Sequence, residues 1–202
     1  RNYESDFGAE NVYWLTLDDG APGLRFVVAD GSPVNGFPQA ERFTAVVHAE
    51  ADSIYDPLGE APDEKRDHFF WARASAPGGP GSRFDGVPGR PATVPFTLPG
   101  FSPSVGETAL VRVGMHAVAH REDYDPDHRT VVRLPDGSIV ADDRWDGKVE
   151  FVASGLVAAS SLSPATEVTL EVPGAEDMPE NYLDTVFLNW VEVSYPRSFA
   201  AL

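Results

Sequence analysis

Histidines and a surplus of carboxylates are the groups with which this 202-residue chain would do chemistry. His116 and His120 stand at the H-x-x-x-H spacing, which holds a metal on a helix because residues i and i+4 share one face. Here the pair lies on or beside a strand-like run. Four residues at ~3.3 Å of rise separate them by roughly 13 Å, too far for one ion. They are read as polar-face side chains. Asp123, Asp125 and Asp127 alternate like the first half of a calcium loop. The EF-hand pattern then fails, with His128 where glycine belongs and Leu134 where the bidentate glutamate belongs. A solvated acidic loop is the better expectation, with calcium the candidate ion if other segments contribute ligands; Asp18-Asp19 and Asp142-Asp143 have the same two readings.

Four tryptophans (Trp14, Trp71, Trp145 and Trp190) offer aromatic faces of the kind that stack on pyranose rings. Tryptophan on a strand is usually core. Trp145 sits in the polar run Asp142-Asp143-Arg144-Trp145-Asp146-Gly147, so it is expected on a loop, with Asp143, as a candidate ligand contact. No G-x-S-x-G elbow, Walker loop or dinucleotide fingerprint occurs. Carboxylate pairs suited to glycoside hydrolysis are too abundant to single one out. The chain has no cysteine, which removes disulfides, thiolate metal sites and a cysteine nucleophile.

The elements that must position these groups are strands. Asn11 to Leu17 is aromatic and β-branched, and Leu24 to Val28 follows. Arg42 to Glu50 alternates, with Phe43, Ala45, Val47 and Ala49 on one face. Ser53 to Asp67 reads as a loop, and His68 to Ala74 as an aromatic strand. Ala76 to Pro91 is a long Gly/Pro-rich surface loop. Ala92 to Leu98 contains Pro95 and belongs at an edge or bulge. Thr108 to Val118 alternates longest, and Ala109, Val111, Val113, Met115 and Ala117 form its core face. Pro135-Asp136-Gly137 turns Thr130 to Leu134 into Ser138 to Ala141, and Lys148 to Ala153 follows. Leu156 to Leu162 is expected to hold a short helical turn, Thr166 to Val172 a strand, and Tyr182 to Tyr195 a central strand. Ten or so strands with turn signals at roughly ten-residue spacing predict an all-β, jelly-roll-like antiparallel β-sandwich. The whole of 1–202 is read as a single domain.

Charge narrows the partners. Against 32 acidic side chains stand 15 basic ones, a net charge of -17. Such a surface repels phosphate backbones, which argues against nucleic acid, and no apolar run approaches the roughly 18 residues of a membrane span. Only Lys65 and Lys148 are lysines; the other 13 basic residues are arginines. Self-repulsion on this scale is tolerated where salt screens it, so the composition suggests a halophilic source with a GC-rich genome. A melting temperature that fails to rise above 1 M salt would refute that reading. The polar start, Arg1-Asn2-Tyr3-Glu4, reads as a mature form or a piece of a larger exported protein.

Several motifs resemble one family. Tyr182-Leu183-Asp184-Thr185-Val186-Phe187-Leu188-Asn189-Trp190-Val191-Glu192-Val193-Ser194-Tyr195-Pro196-Arg197 is similar to the "φLDWIEVxYPR" strand of gingipain-type cysteine peptidase-related proteins, including the sortase-like member of the type IX secretion system. Glu10 to Thr16, Asp67 to Trp71, Val94 to Gly100 and His128 to Gly137 resemble other strands of the same family in order. In those proteins a β-sandwich region precedes a caspase-like peptidase domain. The resemblance implies a carbohydrate-module-like fold, export to the cell surface or medium, and an adjacent peptidase-like domain as partner. It implies no catalysis in this chain, because the family's Cys–His dyad has no cysteine here. The expected function is therefore a non-catalytic accessory or scaffolding domain, with a carbohydrate-binding module as the alternative.

Overall fold

The computed structural model describes residues 41–57, 67–77, 88–174 and 181–199. The expected strands at Asn11–Leu17 and Leu24–Val28, the motif at Glu10–Thr16, and most of the Gly/Pro-rich loop lie outside the described residues. Contacts divide the chain into two units, Arg1–Gln39 and Ala40–Leu202, and the described residues all belong to the second.

This unit is an antiparallel β-sandwich. Its strands are β1 (Arg42–Glu50), β2 (Ile54–Tyr55), β3 (Phe69–Phe70), β4 (Ala72–Pro77), β5 (Ala92–Thr97), β6 (Thr108–Ala117), β7 (His128–Arg133), β8 (Ile139–Trp145), β9 (Glu150–Ala158), β10 (Ala165–Glu171) and β11 (Leu183–Ser198). One sheet runs β1-β11-β6-β9, with β4 also paired to β11. The other runs β5-β10-β7-β8. β11 is long enough to take β4 along Leu183–Leu188 and β1 along Trp190–Ser198 while β6 occupies its other side. It is central, as its apolar character predicts.

Alternation decides which faces meet. Ala109, Val111, Val113, Met115 and Ala117 of β6 point inward and are buried. They face Val94 and Phe96 of β5, Val168 and Leu170 of β10, and Val132 of β7 in one continuous core. Each fully buried Val or Leu contributes about 1.5–3 kcal/mol relative to exposure. Pro95 lies on β5, an edge strand paired only with β10 among the described residues, where its missing N–H costs no ladder bond.

Three local readings are corrected. The aromatic segment breaks at Trp71, so β3 and β4 are separate. The expected loop at Ser53 to Asp67 contains β2, whose Ile54 pairs with Phe70. Of Leu156 to Leu162, only Ala159–Ser161 is a helical turn; the residues before it continue β9.

The pairing of β11 with β6 shifts register between Leu188 and Trp190. Before the shift Val186 and Leu188 face the core; after it Val191, Val193 and Tyr195 do. An extra residue in a strand reverses the alternation beyond it and re-aims side chains. Trp190 is thereby turned to the outer face instead of joining the core.

Candidate binding face

The sequence candidates part company in space. Trp145 is not on a loop. It closes β8, is 6% exposed, stacks on Phe151 (centroids 4.9 Å apart, planes at 6°) and donates its indole N–H to Thr130 Oγ1 at 3.1 Å. A sugar-stacking residue needs an open ring face, and Trp145 has none. Its polar neighbours misled because β8 is, among the described residues, the last strand of its sheet: Asp142 and Arg144 project outward, while Asp143 lies opposite Thr130 on the inward side. Burial, followed by the charge of Asp142, raises the Asp143 carboxyl above its ordinary range. An inward charge on an edge strand discourages edge-to-edge pairing.

The aspartates of the acidic loop do not converge. Asp123 is exposed and accepts from the Arg121 guanidinium at 2.7 Å. Asp125 is exposed, and Asp127 is fully buried. Asp127 Oδ2 accepts from the Arg121 N–H at 2.6 Å and faces His120 Nδ1 at 3.0 Å; its Oδ1 accepts from the Gly147 N–H at 3.0 Å. Among the described residues, the donors close enough to share an ion are His120, Asp127 and Asp146, whose ligand atoms lie within 4.8 Å of one another. Calcium prefers six to eight oxygens. A trio including an imidazole, whose buried carboxylate is already saturated by N–H donors, suits it poorly. His116, by contrast, is buried beneath Phe70, ring centroids 6.0 Å apart, and does not belong to that group.

Sequence reading missed what Asp127 is attached to. The His128 ring is wholly buried, with Nδ1 2.7 Å from Asp184 Oδ1 and Nε2 3.1 Å from Asp127 Oδ1. Asp184 belongs to β11 and His128 to β7, so this Asp–His–Asp group joins the two sheets. Burial alone would lower the His128 pKa; the hydrogen bond and charge of Asp184 and the charge of Asp127 outweigh it, and the net shift is upward. Burial pushes Asp127 up, but the N–H groups of Gly147 and Arg121 and the imidazolium hold it below the usual carboxylate range. Burial raises Asp184 against the pull of His128. Tyr182, packed against both carboxylates, is raised far above an ordinary phenol, first by burial. With the imidazole sealed from solvent, the group has no route to a substrate. It is a structural clamp.

The open site is the outer face of the β1-β11-β6-β9 sheet. At one end β2 and β3 cover it, with Phe70 stacked on Phe187 at 4.7 Å. Beyond that cover, the pairing lays out three rows: Val46, Ser194, Leu110 and Leu156; then His48, Glu192, Arg112 and Ser154; then Glu50, Trp190, Gly114 and Val152. The indole of Trp190 rests on Gly114, where a Cβ would collide with the ring atoms. The Trp190 ring is half-buried: Arg112 stands over it at 5.6 Å and the His48 ring lies 5.4 Å away, tilted by 34°, so a ligand would meet only the part of the ring these two leave uncovered. Arg112 Nη1 is 2.9 Å from Glu192 Oε1, and His48 Nε2 is 3.1 Å from Glu50 Oε2. Val46 and Leu156 are 59% and 73% exposed. A signal for this face was present: a glycine in the middle of the most regular strand marks close approach by another group.

The outer face of the other sheet is different. Arg129 pairs with Asp142, Arg133 with Glu171, and Thr93 with Thr169, each at 2.8–2.9 Å. It carries no tryptophan among the described residues.

No known protein-family profile matches the chain, and no curated protein sequence matches it. A solved structure that it resembles is a carbohydrate-binding module, CBM36, in complex with calcium and xylotriose. The two share 10% identity and a TM-score of 0.33 over 51% of this chain and 71% of that one. A likeness so distant carries no residue of that module onto this chain. No helix among the described residues is long and apolar enough to cross a membrane.

Proposed function

We propose that this chain is a non-catalytic carbohydrate-binding module of an exported protein, with its ligand lying across the outer face of the β1-β11-β6-β9 sheet. One observation carries the reading: Trp190, turned outward by the bulge and laid on Gly114, is flanked by Arg112, Glu192, His48 and Glu50. An aromatic platform takes the C–H face of a pyranose, and neighbouring charged groups exchange hydrogen bonds with its hydroxyls. Titration with xylo-, cello- and manno-oligosaccharides, followed by tryptophan fluorescence and calorimetry, tests it. Binding by the wild type that is lost in Trp190→Ala supports the reading; no binding across the series ends it.

A second reading is the accessory domain implied by the gingipain-type motifs. It is favoured by the exposed pair Phe43 and Phe199, whose rings are 4.8 Å apart, with Arg197 over Phe43 at 5.8 Å. Exposed aromatics beside the outgoing strand suit packing against a neighbouring domain. The coding sequence beyond residue 202 tests it: a caspase-like domain there supports the reading, and any other continuation overturns it.

A further inference from the structure

We propose that Glu192 sets the ligand class of the Trp190 face: by occupying Arg112 it makes the face accept uncharged pyranose chains and reject anionic ones such as uronates. The inference rests on the carbohydrate reading above and names the substrate class of that same face.

Two basic groups stand beside the indole. Arg112 is the guanidinium over Trp190, and its Nη1 is committed to Glu192 at 2.9 Å. The other basic group on the row is His48, 3.1 Å from Glu50 and 3.9 Å from Glu192. Glu50 lies directly across from Trp190 in the β1–β11 register. Each basic group beside the platform thus already has a carboxylate partner within 4 Å, and the carboxylates are close enough to meet any ligand seated on the indole.

The two ligand classes meet this arrangement differently. A sugar hydroxyl donates to a Glu192 oxygen or accepts from an unused N–H of Arg112 without separating the pair, because a guanidinium carries five donors and a carboxylate about four acceptor sites. A uronate carboxylate needs the guanidinium for itself. To reach it the ligand must displace Glu192 while standing beside Glu50, and like charges at that range repel. The side chain of Arg112 is 42% exposed, so the cation is accessible once its partner is removed.

Calorimetry on the full chain with a neutral oligosaccharide series and with oligogalacturonate tests this, using wild type, Glu192→Gln and Glu192→Gln/Arg112→Gln. The titrations are run in 1 M NaCl, where screening over about 3 Å removes the repulsion due to the overall charge and leaves the local pair. Circular dichroism checks that each variant is folded. The wild type is expected to bind a neutral oligosaccharide and not oligogalacturonate. Glu192→Gln should gain affinity for oligogalacturonate by about tenfold or more, and the added Arg112→Gln should abolish the gain. Wild-type binding of oligogalacturonate as tight as that of the neutral sugar overturns the proposal while leaving the carbohydrate reading in place, as does a Glu192→Gln variant with no gain. A wild type that binds no sugar overturns the carbohydrate reading and this inference with it.

Discussion

Asp127, His128 and Asp184 on one side, and Arg112, Glu192 and His48 on the other, are the same chemistry in two dielectric settings. Each cluster pairs a cation with carboxylates, and each sits against a tryptophan: His128 is 4.5 Å from Trp145, and Arg112 is 5.6 Å from Trp190. The first is sealed between the sheets and the second lies open on one of them. In the interior a charge must be compensated wherever it is, so the first cluster is committed to the fold. On the surface water shares the task, and the second cluster can exchange partners. An Asp–His–Asp constellation is the arrangement most suggestive of catalysis in a list of side chains. Here its burial assigns it to architecture, while an unremarkable surface ion pair sits where a ligand can arrive.

The largest effect should come from breaking the sealed cluster. His128→Gln removes the ring that bridges Asp127 and Asp184 and leaves two buried carboxyl groups without it. The expected cost is about 3–5 kcal/mol of stability by denaturant titration. The folded fraction should bind sugar as before, since Trp190 lies elsewhere. A loss below about 1 kcal/mol would mean that the cluster does not clamp the two sheets.

The pH dependence of stability sharpens the same contrast. The folded pKa of His128 is raised, so its contribution is complete below the unfolded value of about 6.5 and disappears as pH rises through the folded value. Asp127 is lowered, so its contribution is present above about 3.9 and is lost as pH falls through its folded value. Asp184 is raised and works in the opposite sense, costing stability once pH passes about 3.9. Stability should therefore peak on the mildly acidic side and decline toward alkaline pH. Thermal melts across pH 4–9 check this, and the alkaline decline should flatten in His128→Gln. An unchanged slope in that variant would assign the decline to other groups.

At the open cluster the measure is binding and not stability. Trp190→Ala should weaken sugar binding by about tenfold or more. Gly114→Val should do the same by pushing the ring off the strand, because a Cβ at position 114 collides with the indole. Equal affinity in wild type and Gly114→Val would show that the ring's seat on β6 does not matter.

The sequence's periodicities carried most of the sandwich. The inward face of β6, Pro95 at an edge and the central β11 all follow from alternation and one missing N–H, which are local properties. The clamp was illegible because His128 and Asp184 are 56 residues apart and meet only when two sheets close. Trp145 was misread for a related reason: the charged residues around it resemble a loop, yet alternate on a strand whose outer side is solvated. Trp190 was set aside because tryptophan on a strand is usually core; the parity of Val186 and Leu188 agrees with that, and only the later parity of Val191 and Val193 turns it outward. A change of one residue in register is a tertiary event that a single sequence does not announce.

The smallest expected effect belongs to the outer face of β5-β10-β7-β8, and it is the control for the whole comparison. Arg133 meets Glu171 at 2.8 Å, with side chains 35% and 39% exposed, and Arg129 meets Asp142 at the same distance. Pairs this exposed contribute about 0–1 kcal/mol, because water and salt compete for both partners. Arg133→Ala should therefore shift stability by less than about 1 kcal/mol, and the shift should fade in 1 M salt, where charges are screened over about 3 Å. Its sugar affinity should equal that of the wild type, because the core separates the two outer faces. Should Arg133→Ala lose binding while Trp190→Ala keeps it, the recognition face would belong to the other sheet.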